Sequence, residues 1–283
     1  MRKCMDIDKI IEEAIKEDIG NGDHTSLATI PINVHGKARL LIKEKGILSG
    51  IDVAARVFKK IDPDILFEKK TNDGREVGPG DIAFTVAGHP GTMLSAERLA
   101  LNFMQRMSGI ATHTRRMVDL IEGTGAKILD TRKTTPNMRA LEKMAVRTGG
   151  GFNHRMGLFD MIMIKDNHVD FAGGISNAID AAHRYLMKKK MDLPVTIEVR
   201  NSPELEEVLK HGGVNRIMLD NFTPAALAKA VERIGHKFET EASGGIHADN
   251  ILQYARTGVD YISVGALTHH IKSLDMSMKA IPS

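Results

Sequence analysis

Val195-Thr196-Ile197-Glu198-Val199 and Arg216-Ile217-Met218-Leu219-Asp220 decide the fold. Each is a strand-length apolar run with an acidic residue at or near its carboxyl end, and the amphipathic stretch Pro203 to His211 stands between them. Short apolar runs alternating with helical stretches are the mark of βα units and a parallel sheet. The same rhythm continues outward in Ala126-Lys127-Ile128-Leu129-Asp130 and Met161-Ile162-Met163-Ile164 upstream, and in Phe238-Glu239-Thr240-Glu241-Ala242 and Tyr261-Ile262-Ser263-Val264 downstream. That makes six runs, with further helical stretches at Asn137 to Arg147, Ser176 to Lys190, Pro224 to Ile234 and His247 to Thr257. About 160 residues lie from position 126 onward, against roughly 250 for an eight-unit barrel. The economical architecture is a shortened α/β barrel, with an open doubly wound sheet as its competitor. Both put the site at the carboxyl ends of the strands.

Upstream the pattern differs. Ile7, Ile10, Ile11, Ala14 and Ile15 form a helical stripe opened by Asp6 or Asp8 and closed at Gly20. Asn21-Gly22-Asp23-His24-Thr25-Ser26 is turn chemistry leading to strand-like sequence at Gly36 to Ile47, and residues 50 to 61 read as a helix. Glycines and prolines from Gly74 to Pro90 punctuate short β pieces such as Ile82 to Ala87. From Ser95 to Ile121 the pattern is helical, with Leu99, Phe103, Met107 and Ile110 as a buried stripe and Gly109 as a candidate interruption. The expected organisation is a small α/β domain with a linking helix over 1–110 and a catalytic barrel over 111–283, whose last segment is free to pack back on the first domain.

Composition narrows the function. With 42% apolar and 27% charged residues the 283-residue chain is globular, and a formal charge of +3 is too small to imply nucleic acid unless cations cluster. Aromatics at 4% and no tryptophan make base-stacking platforms scarce. The one cysteine, Cys4, fits a reducing cytosol, and no apolar run suggests a signal peptide or a membrane span, so the expected location is cytoplasmic with no membrane partner. The Gly-rich nucleotide loops, the serine-hydrolase elbow and the His-Glu-x-x-His pair are missing from the sequence. His269-His270 reads as a surface helix, since no third ligand stands nearby.

Just past the apolar runs stand Thr131-Arg132-Lys133, Lys165-Asp166-Asn167-His168, Glu198, Asp220-Asn221, Ser243-Gly244-Gly245 and Gly265-Ala266. A strand buried on both faces must send a terminal charge to the rim or give it a partner, so these residues are expected to converge. Arg132, Lys133, Arg155 and Lys165 supply cations for several anionic groups, and His154 and His168 supply donors. Gly244-Gly245, ahead of a helix starting near His247, leaves backbone N–H groups open to a phosphate. Glu198 and Asp220 suit a magnesium ion that itself holds phosphate oxygens, or else pair with Lys133 or Lys165.

Longer motifs carry a resemblance. Asp130-Thr131-Arg132-Lys133-Thr134-Thr135-Pro136, Ala145-Val146-Arg147-Thr148-Gly149-Gly150-Gly151 with Asn153-His154-Arg155, and Ile164-Lys165-Asp166-Asn167-His168 closely resemble the quinolinate phosphoribosyltransferase family. So do Asn21 to Ser26, Glu97 to Asn102, Ser108 to Thr112, Leu219 to Phe222, Glu241 to Ile246 and Val264 to Thr268, in the family's order and over essentially the full length. The resemblance implies an N-terminal α/β sandwich and a shortened barrel of about seven strands, so six to seven are expected here. It implies transfer of phosphoribose from 5-phosphoribosyl-1-pyrophosphate to quinolinate with decarboxylation, giving nicotinate mononucleotide, pyrophosphate and CO2 in NAD synthesis, with Mg2+. Residues matching Arg132, His154, Arg155 and Lys165 surround quinolinate, with Thr131 and Lys133 beside it. Asn167 and His168 continue that motif. The residue matching Arg98 enters from the neighbouring subunit of a homodimer or higher homo-oligomer. Glu198 and Asp220 match the ribose and magnesium-pyrophosphate side, and Ser243, Gly244, Gly245, Gly265 and Ala266 the 5-phosphate cradle. Arg200 stands where the family often has a second acidic residue. The expected catalytic set is Lys133, Lys165, Glu198 and Asp220. Rival readings are a relative with another acceptor, a phosphate-binding barrel lyase using Lys165 as a Schiff base, and a basic binding module.

Overall fold

The computed structural model describes residues 7–282, so Cys4 and Asp6 lie outside the described residues. In chain order the elements are α1 (Ile7–Ile19), α2 (His24–Thr29), β1 (Gly36–Ile42), β2 (Gly46–Ile47), α3 (Ile51–Ile61), β3 (Leu66–Lys69), β4 (Glu76–Val77), β5 (Ile82–Gly88) and the long α4 (Pro90–Leu120). There follow β6 (Lys127–Leu129), α5 (Arg139–Thr148), β7 (Ile162–Ile164), α6 (Asp166–Ala172), α7 (Ile175–Lys189), β8 (Val195–Val199), α8 (Ser202–His211) and β9 (Arg216–Asp220). The last are α9 (Pro224–Ile234), β10 (Glu239–Ser243), α10 (Ile251–Ala255), β11 (Tyr261–Ser263), α11 (Ala266–His269) and β12 (Met276–Ile281). The described residues fall into one compact unit of residues 7–115, 134–150 and 267–282, and a second of residues 116–133 and 151–266.

The first unit holds an antiparallel sheet in the order β12-β1-β5-β3. Ala38, Leu40 and Ile42 alternate inward along β1, as a strand with one buried face requires. They share a core with Val57 and Phe58 of α3, and Phe58, Phe67 and Phe84 stack with centroids 4.4 to 5.8 Å apart. The chain returns at its end to pair β12 with β1, from Lys37 opposite Ile281 to Ile42 opposite Met276. The segment Asn21 to Ser26 is a helix start as well as a turn. Asp23 is the N-cap of α2, accepting from the Ser26 N–H at 3.1 Å and from the Ser26 and Ser95 hydroxyls at 2.6 and 3.0 Å. Gly109 does not interrupt α4, which runs through it; the glycine makes room for the Lys272 carbonyl, which passes where a side chain would stand.

The second unit carries a parallel sheet in the order β6-β11-β10-β9-β8-β7. The last strand, β11, pairs with the first, β6, which is the ordering of a barrel and not of a doubly wound sheet. The two edges, β6 and β7, are neighbours in sequence. Phe152 lies between them in sequence and makes a parallel bridge to Leu129, its N–H on the Ile128 carbonyl at 2.8 Å and its carbonyl on the Asp130 N–H at 3.1 Å. The barrel therefore has six regular strands and a seventh position reduced to one residue. No apolar run announces it, since Gly149-Gly150-Gly151 precedes Phe152.

Two elements depart from the sequence expectation. The helix expected from His247 begins only at Ile251, after a turn in which Asn250 accepts the His247 N–H at 2.8 Å and donates to the Gly245 carbonyl at 3.0 Å. Gly244-Gly245 thus sits in a loop and not at a helix N-terminus. Conversely, Asp166 to Ala172, outside the helical stretches expected from the sequence, is helix α6, because the His168 ring accepts the Lys165 N–H at 2.9 Å and caps the first turn from within. Among the described residues no helix is long and apolar enough to cross a membrane.

Candidate active site

Period-two alternation explains how the barrel strands carry polar residues without exposing them to the outer helices. Ile197, Val199, Ile217, Leu219, Ala242 and Ile262 are buried on the outer side. The residues between them form a polar interior, as the hydrogen bonds of Arg216 to Glu241, Ser243 to Asp220 and Tyr261 to Glu239 show. A barrel of this kind is ordinarily filled by Val, Ile and Leu. Here the inward rows end, at the carboxyl rim, in Lys165, Glu198, Asp220 and Ser243.

Arg132 and Arg155 come close enough for their charges to oppose each other. Burial, and then the Arg132 guanidinium, hold Arg155 below the usual arginine range, against the attraction of Asp160. Arg155 is half-buried and Arg132 exposed. The loop that carries Arg155 is built from acids: Asp130, fully buried, accepts the His154 N–H at 2.8 Å and the Asn153 amide at 2.6 Å, and Asp160 accepts the N–H groups of Met156 and Gly157 at 2.8 and 2.9 Å. Thr131 Oγ1 accepts the Lys133 N–H at 3.0 Å and shapes the turn that exposes Lys133.

Lys165 Nζ meets Glu198 Oε2 at 2.6 Å. Of the two alternatives for Glu198, a pair with a lysine is thus present. Asp220 accepts from the Ser243 hydroxyl at 2.6 Å on one oxygen and from the Asn221 amide at 2.6 Å on the other. The donor set is all carboxylate oxygen on adjacent strands, which suits a hard cation bound through one or two carboxylates plus substrate phosphate. Among the described residues no group of three His, Cys, Asp or Glu side chains could hold a metal unaided. Glu198 and Asp220 therefore fit magnesium arriving with a diphosphate better than a closed protein cage. Arg200 leaves this rim: its guanidinium lies on Glu204 at 2.7 Å and on Asp170 at 3.1 and 3.2 Å.

Gly244 and Gly245 have φ of +90° and +63°, conformations only glycine adopts readily. A Cβ on Gly244 would collide with the Asn221 side chain and come 2.9 Å from the Asn221 nitrogen. The turn so formed leaves backbone at the end of β10, while Gly265 and Ala266 follow β11. Asn167 and His168 are exposed in the first turn of α6. Arg98 is exposed on α4 in the other unit. Sequence reasoning missed the supporting acids Asp130 and Glu241. The signal was there: an acid inside a run otherwise fit for a buried strand demands a partner.

What such a rim can take is a small substrate with several negative charges, which places the chain among the α/β-barrel enzymes of phosphorylated and carboxylated metabolites. Models of the quinolinate phosphoribosyl transferase N-terminal and C-terminal domains match residues 23–108 and 110–279. The chain is 45% identical to quinolinate phosphoribosyltransferase [decarboxylating] 1b of Nicotiana tabacum, over 97% of this chain and 82% of that protein. It is 39% identical to the probable nicotinate-nucleotide pyrophosphorylase [carboxylating] of Synechocystis, over 97% and 92%. Among solved structures, NadC from Streptococcus pyogenes superposes with a TM-score of 0.91 at 38% identity, covering 96% of this chain and 95% of that one. The chain belongs to the quinolinate phosphoribosyltransferase family.

Proposed function

We propose that the chain joins quinolinate to the ribose of 5-phosphoribosyl-1-pyrophosphate and releases CO2 and pyrophosphate, giving nicotinate mononucleotide for NAD biosynthesis. The observation that carries this reading is the approach of Arg132 to Arg155, whose guanidinium is held below its ordinary range by burial and then by the Arg132 charge. Quinolinate brings two ring carboxylates, and a guanidinium fork suits each. The names of the relatives at 39% and 45% identity support the same reaction.

Arg132 and Arg155 hold the carboxylates and so aim the ring nitrogen at the anomeric carbon. The nitrogen's lone pair forms the N–C bond as the C–O bond to pyrophosphate breaks, with the departing charge beside Lys133 or Lys165. The ring, now cationic, takes up the electrons of the C–C bond when the neighbouring carboxylate leaves as CO2, and a proton replaces it. Glu198 and Asp220 would hold a magnesium ion, which when bound would neutralise diphosphate charge. Ser243, Gly244, Gly245, Gly265 and Ala266 receive the 5-phosphate through backbone N–H groups. Arg98 completes the site of a second copy in a homodimer, and the single cysteine supports a reducing, cytoplasmic location.

An acceptor panel with the sugar diphosphate and magnesium tests this. Quinolinate yields equal CO2 and mononucleotide, and nicotinate yields neither; turnover of nicotinate, or none of quinolinate, rejects it.

A further inference from the structure

Both ring nitrogens of His154 are engaged, and by groups that dictate where its proton sits. Nδ1 accepts the backbone N–H of Arg155 at 2.6 Å, so Nδ1 carries no hydrogen. Nε2 lies 3.2 Å from Glu241 Oε2, an acceptor, so Nε2 carries one. The side chain of His154 is 5% exposed and that of Glu241 is fully buried. The backbone N–H of His154 is itself held by Asp130. The carboxylate of Glu241 is anchored from below. Arg216 Nη1 donates to the same oxygen at 3.0 Å, the Ser263 hydroxyl donates to the other, and Arg216 is fixed in turn by Glu239 at 2.8 Å and by the Tyr261 ring 4.0 Å beneath its guanidinium. Arg216, always charged, is thus a permanent counter-ion of Glu241.

We infer that Glu241 is a positioning residue: it fixes His154 as the neutral Nε2–H tautomer, whose Nδ1 holds the Arg155 backbone and thereby aims the Arg155 guanidinium. The inference rests on the reading of Arg155 as a holder of a quinolinate carboxylate. It corrects the expectation that His154 donates to substrate, since its one N–H is directed at Glu241 and its other nitrogen is an acceptor already in use. A chain of this kind acts on a single substrate. Displacing Arg155 by a fraction of an ångström weakens the hold on quinolinate and leaves the sugar-diphosphate side, on Asp220, Ser243 and Gly244, in place.

The test uses the full-length protein with 15N-labelled histidine, its His154 ring signals assigned by loss in His154→Leu. At neutral pH the wild-type ring shows the neutral Nε2–H pattern, and Glu241→Gln, which sets an amide N–H₂ among the donors Arg216, Ser263 and His154, alters it. In steady-state kinetics Glu241→Gln and His154→Leu each raise the quinolinate KM at least about tenfold and leave the sugar-diphosphate KM within about twofold. His154→Asn, whose side-chain oxygen can take the place of Nδ1, stays closer to wild type than His154→Leu. A doubly protonated or Nδ1–H ring in the wild type overturns the inference whatever the kinetics of the variants show. So does an unchanged quinolinate KM in folded Glu241→Gln, or an equal rise in both KM values. A wild type inert toward quinolinate would sink the proposed function instead, and the ring spectrum would still decide the tautomer.

Discussion

Lys165 donates to Glu198 at 2.6 Å across the paired strands β7 and β8, so the cation assigned to substrate is also the counter-ion of the carboxylate assigned to magnesium. The Glu198 side chain is 7% exposed and that of Lys165 44%, so the partners are unequal. A cation held at Glu198 would compete with Lys165 for the carboxylate and so would free the lysine for an anionic substrate group. Before substrate arrives, the lysine keeps a nearly buried carboxylate from standing alone.

Lys165→Met is therefore expected to lower stability by about 1–3 kcal/mol, toward the lower end because the lysine is partly solvated. Glu198→Gln is expected to cost less, and the double variant less than the sum of the two. Urea unfolding of the four proteins measures this. Additive effects would mean that the pair does not couple.

Gly244→Ala is expected to raise the sugar-diphosphate KM at least about tenfold, because a methyl at φ +90° is strained and meets Asn221. The quinolinate KM should change far less. Equal changes in both, at unaltered thermal stability, would remove the glycine turn from the phosphate side.

Gly109→Ala sets two magnitudes against each other. Helix propensity alone favours alanine by about 1 kcal/mol. The added methyl would strike the Lys272 carbonyl and stand 3.0 Å from Ile271 Cγ2, and overpacking of this kind costs about 1–3 kcal/mol. Net destabilisation is expected, read as a lower Tm. A stabilised variant would mean that residues 271–272 move aside freely.

How far the sequence could be read follows from what kind of signal each element leaves. β8 and β9 were legible to the residue, because apolar runs with an acid at or next to the carboxyl end have few other uses. The barrel stave at Phe152 was not, since a single bridged residue has no period. Helix α6 was hidden because its cap, His168, comes from the third position within it and not from Ser, Thr, Asp or Asn in front. The rim cations and carboxylates were legible as strand ends. Their supports, Glu241 and Asp130, were marked only as acids inside apolar runs, because the His154 groups they hold stand 87 and 24 residues away in sequence. Arg98 was named through family resemblance alone, and nothing in its local sequence marks it.

Glu241 also predicts an acid limb. Burial would raise its carboxyl, but His154, Ser263 and Arg216 together hold it below the ordinary value of 4.5. A depressed carboxylate contributes stability that is present above the unfolded value and is lost as pH falls from about 4.5 through the folded value. The stability gap between wild type and Glu241→Gln should hence narrow as pH drops below about 4.5. Urea midpoints of both proteins across that range check it, and a constant gap would contradict it.

Equilibrium binding of quinolinate and nicotinate to the wild type and to Arg155→Met tests most directly whether this rim is built for a dicarboxylated pyridine. The two ligands differ by one carboxylate, and methionine keeps the stem without the charge. The wild type should prefer quinolinate at least about tenfold, equivalent to about 1.4 kcal/mol, and Arg155→Met should bring the two affinities within about twofold of each other. A preference that survives the substitution intact, or a wild type that binds both ligands alike, would contradict it.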